Sequence, residues 1–202
     1  MRHFIYFSKS ARTSGNFNVN ELMKAGRMDI VCQVIMMAFF VSHHIRENVK
    51  LHLIFAGGPD PVKHLEMCPG KNFMADNEQR RDISQKDIAG LIKKILCKYK
   101  KGEKREVSPG YFIEKKNFID VIEELIEQGK TIYLLDKKGE DIRDVKKLDD
   151  ATFIIGDQDG IPKRELKKLK KLRIKKISVG NQIYFASQTV TIINNELDRR
   201  NI

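Results

Sequence analysis

Three apolar runs end abruptly in small and polar residues: Leu134-Leu135-Asp136, Gly156-Asp157-Gln158-Asp159-Gly160 and Ser178-Val179-Gly180-Asn181-Gln182. In an open parallel sheet, ligands collect at the carboxyl ends of strands, where loops and helix N-termini present unpaired N–H groups. A chain that stops a buried strand with Gly and Asp therefore has the parts to hold a small polar molecule against its backbone. Taken singly, each run also reads as an ordinary turn, because Gly and Asp are the usual residues of turns. GxGxxG and a phosphate-loop lysine are both absent from these runs, which counts against dinucleotides and nucleoside triphosphates. The five histidines show no metal spacing: HExxH is absent, and His43 and His44 are adjacent in a helical stretch and so point apart. No metal is expected.

The elements that would position these ends follow from periodicity. His3 to Phe7 reads as a first strand, followed by the loop SKSARTSGNFN and a largely apolar helix from about Arg27 to His44. Within that helix Met28, Met36, Met37 and Phe39 read as core. VKLHLIFAGGPDP is a strand closed by a Gly/Pro turn, and residues 71 to 82 read as a loop. Ser84 with Asp87 forms a capping pair that opens a helix through Tyr99, with Ile88, Leu91, Ile92, Ile95 and Leu96 on one stripe. The basic turn KYKKGEKR and a short strand at Tyr111 to Ile113 come next. Phe118, Val121, Ile122, Leu125 and Ile126 mark another amphipathic helix, ended by Gly129. TIYLLD, FIIGD and RIKKISVG are strand-like, and a helix from about Ala186 to Arg199 closes the chain. Strands alternating with helices predict an α/β fold with a mainly parallel sheet, as one domain over residues 1–202.

Bulk properties narrow the partners. With 202 residues and 41% hydrophobic content the chain can bury a core, while 38 Lys and Arg against 27 Asp and Glu give a net charge of +11. That charge favours polyanions such as RNA, DNA or anionic lipid. Between Lys163 and Lys176 nine basic residues face only Glu165, a run that reads either as a solvated face or as a contact with RNA phosphates. Cys32, Cys68 and Cys97 are widely separated and odd in number, so a disulfide framework is not indicated and a reducing cytoplasm fits. MRHFIYFSKS begins like a strand rather than a signal peptide, and the longest apolar run, Val34 to Val41, is too short to span a bilayer.

As an ordered set, the three strand ends resemble the cofactor-binding loops of the SPOUT class of RNA methyltransferases, which bind S-adenosylmethionine. More closely, the chain resembles the archaeal tRNA pseudouridine N1-methyltransferase family, TrmY. The resemblance is carried by AGRMDIVCQ, LHLIFAGGPDP, DISQKDIAGLIKKIL, IYLLDKKGEDI, IIGDQDGIP and ISVGNQIYFASQTVTIINNELDRR, which cover most of the chain. It implies a SPOUT fold with a deep trefoil knot in the C-terminal half, a homodimer, and a tRNA-facing pocket completed near the dimer interface. It also implies that backbone around Gly156 holds the adenosine of the cofactor, with Leu135, the loop Ser178, Val179, Gly180, Asn181, Gln182 and Ile183, and Thr189 closing over it. Family members usually carry His where this chain has Gln158 and Cys where it has Thr189, and the helix that is basic here is often acidic in them.

The implied reaction is methylation of N1 of pseudouridine at position 54, in the T-loop of tRNA. A ribosomal RNA pseudouridine N1-methyltransferase, or an inactive basic RNA-binding module of the same fold, are the alternatives. Methyl transfer from a sulfonium needs in-line placement of the nucleophile and loss of its proton. Asp29 is the candidate to orient or deprotonate the imide-like N1, with Arg27 and Arg12 holding the extruded nucleoside and its phosphate. The structural alternative for Asp29 is a first-turn acid favoured by the helix dipole, an effect of about 0.3 to 1 kcal/mol.

Overall fold

The computed structural model describes residues 1–42, 44–70 and 83–202. The segment 71–82, expected to be a loop, and His43 lie outside the described residues. Among the described residues eight strands form one sheet in the order β4-β5-β3-β2-β1-β7-β6-β8. They are β1 (Arg2–Ser8), β2 (Val49–Phe55), β3 (Lys63–Met67), β4 (Arg105–Ser108), β5 (Tyr111–Glu114), β6 (Thr131–Asp141), β7 (Ala151–Gly156) and β8 (Lys175–Ser178). The run β2-β1-β7-β6-β8 is parallel throughout, and β3, β5 and β4 extend it antiparallel at one edge. The expected mainly parallel α/β architecture is what the chain adopts.

Among the described residues five α-helices, α1 (Met28–Phe39), α2 (Gln85–Cys97), α3 (Phe118–Glu127), α4 (Lys163–Lys171) and α5 (Ala186–Arg199), cover the sheet on both faces. Every residue of β1 is buried, and its side chains alternate between two cores. Phe4 and Tyr6 pack with Leu53, Phe55, Phe153, Val31, Ile35, Ile92 and Ile193 beneath α1, α2 and α5. Ile5 and Phe7 pack with Ile54, Ile154, Phe118, Ile122, Leu125 and Leu169 beneath α3 and α4. The continuous apolar runs of β1, β2 and β7 thus follow from having no solvent face.

Local signals explain most boundaries. Ser84 accepts from Asp87 N while Asp87 caps Ser84 N at 2.9 Å, so α2 opens where the capping pair predicts. The stripe on α3 ends as expected, with Gly129 at φ 80°. By contrast α1 ends at Phe39 rather than near His44. Phe40 turns extended (φ −96°, ψ 139°), and Phe39 O accepts from Arg46 N at 2.7 Å, closing a tight connection into β2. The basic turn after α2 leads into β4, whose residues Arg105–Ser108 are only half-buried at the sheet edge and carry no apolar alternation. β3 was not foreseen for a different reason. KHLEM is fully buried, but its polar members find partners across the sheet instead of solvent.

Those partners form a buried polar end on the second face. His3, His52 and His64 stack in sequence, with ring centroids 5.8 and 5.2 Å apart. His64 Nδ1 lies 3.0 Å from Glu114 Oε1 and its Nε2 lies 3.0 Å from His52 Nδ1. With the carboxylate accepting, His64 Nδ1 donates and Nε2 accepts from His52, which leaves His52 Nε2 a buried atom without a partner. The linear spacing argument against a metal cluster does not survive the sheet register: His52 sits opposite Glu66, and His52, His64 and Glu66 bring ligand-type atoms within 4.8 Å of one another. Glu66, however, is held by Lys50 at 3.1 Å and Lys104 at 2.8 Å, so two ammonium groups already balance the only carboxylate of that trio.

Burial lowers the His3 pKa from 6.5 to about 4, with nearby Lys130 and Lys50 acting in the same direction. Above pH 6.5 the ring is neutral in both folded and unfolded chains; between 6.5 and about 4 only the unfolded chain takes up the proton. Stability should therefore fall as pH drops through that window, by about 3 kcal/mol from this group. In urea unfolding, His3→Phe should keep the stacked contact and lose measurably less stability than wild type over that pH range. Equal losses in the two proteins would remove His3 as the cause.

Candidate functional site

The parallel arrangement brings the carboxyl ends of β6, β7 and β8 side by side, and a cavity of about 500 Å³ opens there. Its walls include Leu134 and Leu135 from β6, Ile155 and Gly156 from β7, and Ser178, Val179 and Gly180 at the end of β8. Gln182, Ile183, Tyr184 and Phe185 carry the wall into α5, where Thr189 lines it, and Ile30 of α1 and Leu166 of α4 close opposite sides. Of the residues expected to hold a cofactor, Leu135, Gly156, Ser178, Val179, Gly180, Gln182, Ile183 and Thr189 all line this space. Asn181 is exposed and does not.

The glycine in FIIGD has a local reason. A Cβ on Gly156 would come within 2.8 Å of Gly160 C and 2.9 Å of its Cα, so the loop 156–160 can curl back only if position 156 has no side chain. Asp157 holds that curl. It is 8% exposed, its Oδ2 accepts from Lys9 N at 2.7 Å and its Oδ1 from Asp159 N at 3.0 Å. The first acid of the loop thus ties the end of β7 to the end of β1, and burial pushes its pKa up despite these bonds. The charged loop that ends a buried strand is a fastening, made by a carboxylate that two backbone N–H groups satisfy.

Arg12, Arg27 and Asp29 gather beside the cavity rather than in its wall. Arg27 N-caps α1 in a left-handed conformation (φ 61°, ψ 40°), unusual for a residue with a side chain. Its Nε and Nη2 donate to the two Asp29 oxygens at 3.1 and 2.9 Å, a bidentate pair across the first turn. This hydrogen bonding raises the Arg27 pKa further. Ser10 O passes so close to Gly26 that a Cβ there would lie 1.8 Å from it, and Arg12 N bonds Ala25 O at 3.3 Å. The Arg12 loop is therefore laid directly against the Arg27 turn. Arg12 Nε is buried with no partner, which leaves this guanidinium uncommitted among the described residues. Ile30, next to Asp29, is the link from this cluster to the cavity.

A model of the family described as "Putative SAM-dependent RNA methyltransferase" matches residues 1–202. The chain belongs to that family. A tRNA (pseudouridine(54)-N(1))-methyltransferase of Methanococcoides burtonii is 35% identical, over 98% of this chain and 96% of the relative. Relatives bearing the same name from Methanocaldococcus jannaschii and Pyrococcus abyssi are each 31% identical, covering all of this chain and 98% and 100% of the relatives. Among solved structures, Archaeoglobus fulgidus Nep1 bound to S-adenosylhomocysteine superposes with a TM-score of 0.60 at 15% identity, over 99% of this chain and 98% of that one. At that identity the likeness speaks for the fold.

Sequence reading did not single out Tyr6, whose buried phenol lies near enough to both Asp157 and Asp29 to feel their charges. Burial, then the charges of Asp157 and Asp29, push its phenol pKa well above the usual value, against a smaller opposing effect of the Ser8 hydroxyl. A tyrosine in the middle of FIYF reads as core, and nothing in the spacing marks it otherwise. Ile30, Leu166 and Phe185 also line the cavity without any sequence signal beyond being apolar. Gly156→Ala should force the 156–160 loop open. We expect a destabilisation of about 1–3 kcal/mol and a loss of ligand affinity at the cavity, read by thermal unfolding and calorimetry with S-adenosylhomocysteine. Wild-type affinity in a folded variant would separate this loop from ligand binding.

Proposed function

We propose that the protein transfers the methyl group of S-adenosylmethionine to N1 of the pseudouridine at position 54 of tRNA. The observation that carries this reading is full-length similarity, at 35% identity, to a relative named for that activity, together with a cavity of suitable size where the family's cofactor loops fall. A volume of about 500 Å³ with apolar walls and a backbone rim suits a nucleoside-sized ligand. Leu135, Ile155, Val179 and Ile183 would sandwich an adenine, and the glycine-lined edge at Gly156 would let backbone groups reach its polar rim. Ser178, Gly180, Gln182 and Thr189 are placed to meet the ribose and the amino-acid portion. S-adenosylmethionine supplies an electrophilic methyl group on a positively charged sulfur.

The remaining chemistry falls to the chain. Arg12 offers an uncommitted guanidinium for a phosphate or carbonyl of the extruded nucleoside. Asp29, fixed by Arg27, is a carboxylate of set orientation beside Ile30, suited to accept a hydrogen bond from N1–H and align that nitrogen for methyl transfer. The pair is 19% and 38% exposed at its Asp29 and Arg27 side chains, so it is reachable by substrate.

The topology supports a deep trefoil knot in the C-terminal half. β8 pairs with β6 twice, through Leu135 and again through Glu140, as the chain between them bows out around its end. Ile183, Tyr184 and Phe185 are exposed, the last by 71%, and a second copy of the chain covering them would make the homodimer that completes the tRNA-facing pocket. Residues 1–202 act as one SPOUT domain in this reading, working in the cytoplasm. No helix among the described residues is long and apolar enough to cross a membrane.

Incubation of the protein with S-adenosylmethionine and a tRNA carrying pseudouridine 54 should yield N1-methylpseudouridine on nucleoside mass spectrometry. Cofactor binding without product would move the substrate to ribosomal RNA; absence of both would leave an RNA-binding module. Asp29→Ala should slow single-turnover methylation roughly 100-fold with cofactor affinity unchanged. An unaltered rate would take Asp29 out of the mechanism.

A further inference from the structure

The positive charge of this protein is concentrated in one place. Between Lys163 and Lys176 lie nine of its basic residues and one acid, so this stretch holds eight of the eleven excess charges. Folding alone gives no reason for that. α4 is nine residues long, buries only Leu169, and sets like charges at Lys163 and Lys167 and at Lys167 and Lys171, four residues apart, where they repel. Lys168 is paired with Glu165 at 3.1 Å and Lys176 with Asp136 at 2.6 Å. Lys163, Arg164, Lys167, Lys170 and Lys171 on the helix, and Arg173 and Lys175 after it, have no acidic partner among the described residues, and all are exposed.

Position gives the charge a direction. Leu166 of the same helix and Ile161 just before it line the cavity, so the cationic face begins at the cavity mouth and runs away from it. At 1.5 Å per residue the helix is roughly 14 Å long, the rise of about four nucleotide steps in a duplex.

We propose that the exposed face of α4, continued by Arg173 and Lys175, is the docking surface for the phosphodiester backbone of the substrate RNA, on the strand beside the nucleoside held at the cavity. The proposal rests on the methyltransferase reading for the identity of the RNA, but not for the binding itself. Lysines contact phosphates as point charges and carry no base specificity, so the face sets affinity and register while the Arg12, Arg27 and Asp29 cluster meets the target base.

The test compares wild type with the triple variant Lys167→Gln, Lys170→Gln, Lys171→Gln, and with a control, Lys98→Gln, Lys101→Gln, at the β4 edge of the sheet. Binding to a pseudouridine-containing T-arm stem-loop is measured by filter retention across a salt series. The triple variant should bind roughly 10- to 100-fold more weakly near 100 mM salt, and its plot of log affinity against log salt should be shallower by about 2 to 3. It should raise KM for RNA, with kcat at saturating RNA and cofactor affinity unchanged, and the control should match wild type. Lys163→Gln, Arg164→Gln serves as a second pair, should the triple variant fold poorly.

Superimposable salt plots for wild type and both variants would overturn the proposal, and continued methylation by wild type would leave the enzymatic reading standing. A shallower slope without any methylation by wild type would support the surface and sink the enzymatic reading. Uptake of wild type, but not of the triple variant, by phosphatidylglycerol vesicles, with RNA binding equal in both, would assign the face to a membrane and overturn the RNA surface.

Discussion

The site depends on one close approach of backbone to backbone. A Cβ on Gly139 would lie 2.5 Å from the N, Cα and C atoms of Ile177, so β6 and β8 can cross there only because position 139 is glycine. That crossing lets the chain leave β8 at Leu135, bow out through Asp136 and Lys137, and return to pair Glu140 with the same Ile177. The excursion forms one wall of the cavity, and the end of β8 forms the facing one.

Several bonds from distant parts of the chain then fix the excursion. Ile142 N donates to Ser178 O at 2.9 Å. Arg200, just past α5, donates to Val145 O at 2.6 Å, Arg143 O at 2.9 Å and Ile142 O at 3.0 Å while bonding Glu196. Two residues earlier, in the last turn of α5, Asp198 binds Arg2 at 2.7 Å and Arg46 at 2.6 Å, joining the C-terminal helix to the first strand and to the loop before β2. Charge-assisted bonds to carbonyls are stronger than neutral ones, and here they gather at the termini. The last helix is therefore held from two sides, which suits an element that carries Thr189 into the cavity.

How much of this could be read from residue order differs by kind of interaction. The cap of α2, the limits of α5 and the ends of β7 and β8 were legible because each rests on neighbours within a few positions, whereas β6 runs past Leu135 and Asp136 to Asp141. The gathering of Leu135, Gly156 and Ser178 followed from the rule for parallel sheets once the strands were placed, and the family resemblance supplied their order. What stayed hidden depends on register. His52 meets Glu66, and Glu114 meets His64, through a strand register that no spacing in the chain records, so neither β3 nor its histidine stack was visible. Asp157 looked like a turn residue, although its main partner, Lys9 N, is 148 positions away. Long-range satisfaction of a buried carboxylate leaves no trace in spacing.

Asp29 illustrates why geometry changes a mechanistic assignment that residue type alone would permit. A carboxylate free in a pocket is a natural general base, but this one already accepts two N–H groups from Arg27. Its negative charge is offset, and its remaining lone pairs face directions set by a guanidinium that is itself locked by a left-handed backbone. Such a group is better at holding an N–H in line than at carrying the proton away. Methylation at N1 replaces its hydrogen, so the nucleoside would have to shed a proton by the end of the reaction, and water at the partly exposed mouth could receive it. In the proposed reaction the Arg27 and Asp29 pair would contribute orientation, and Arg12, whose Nε has no partner among the described residues, would contribute the charge that favours the electron-rich form of the base.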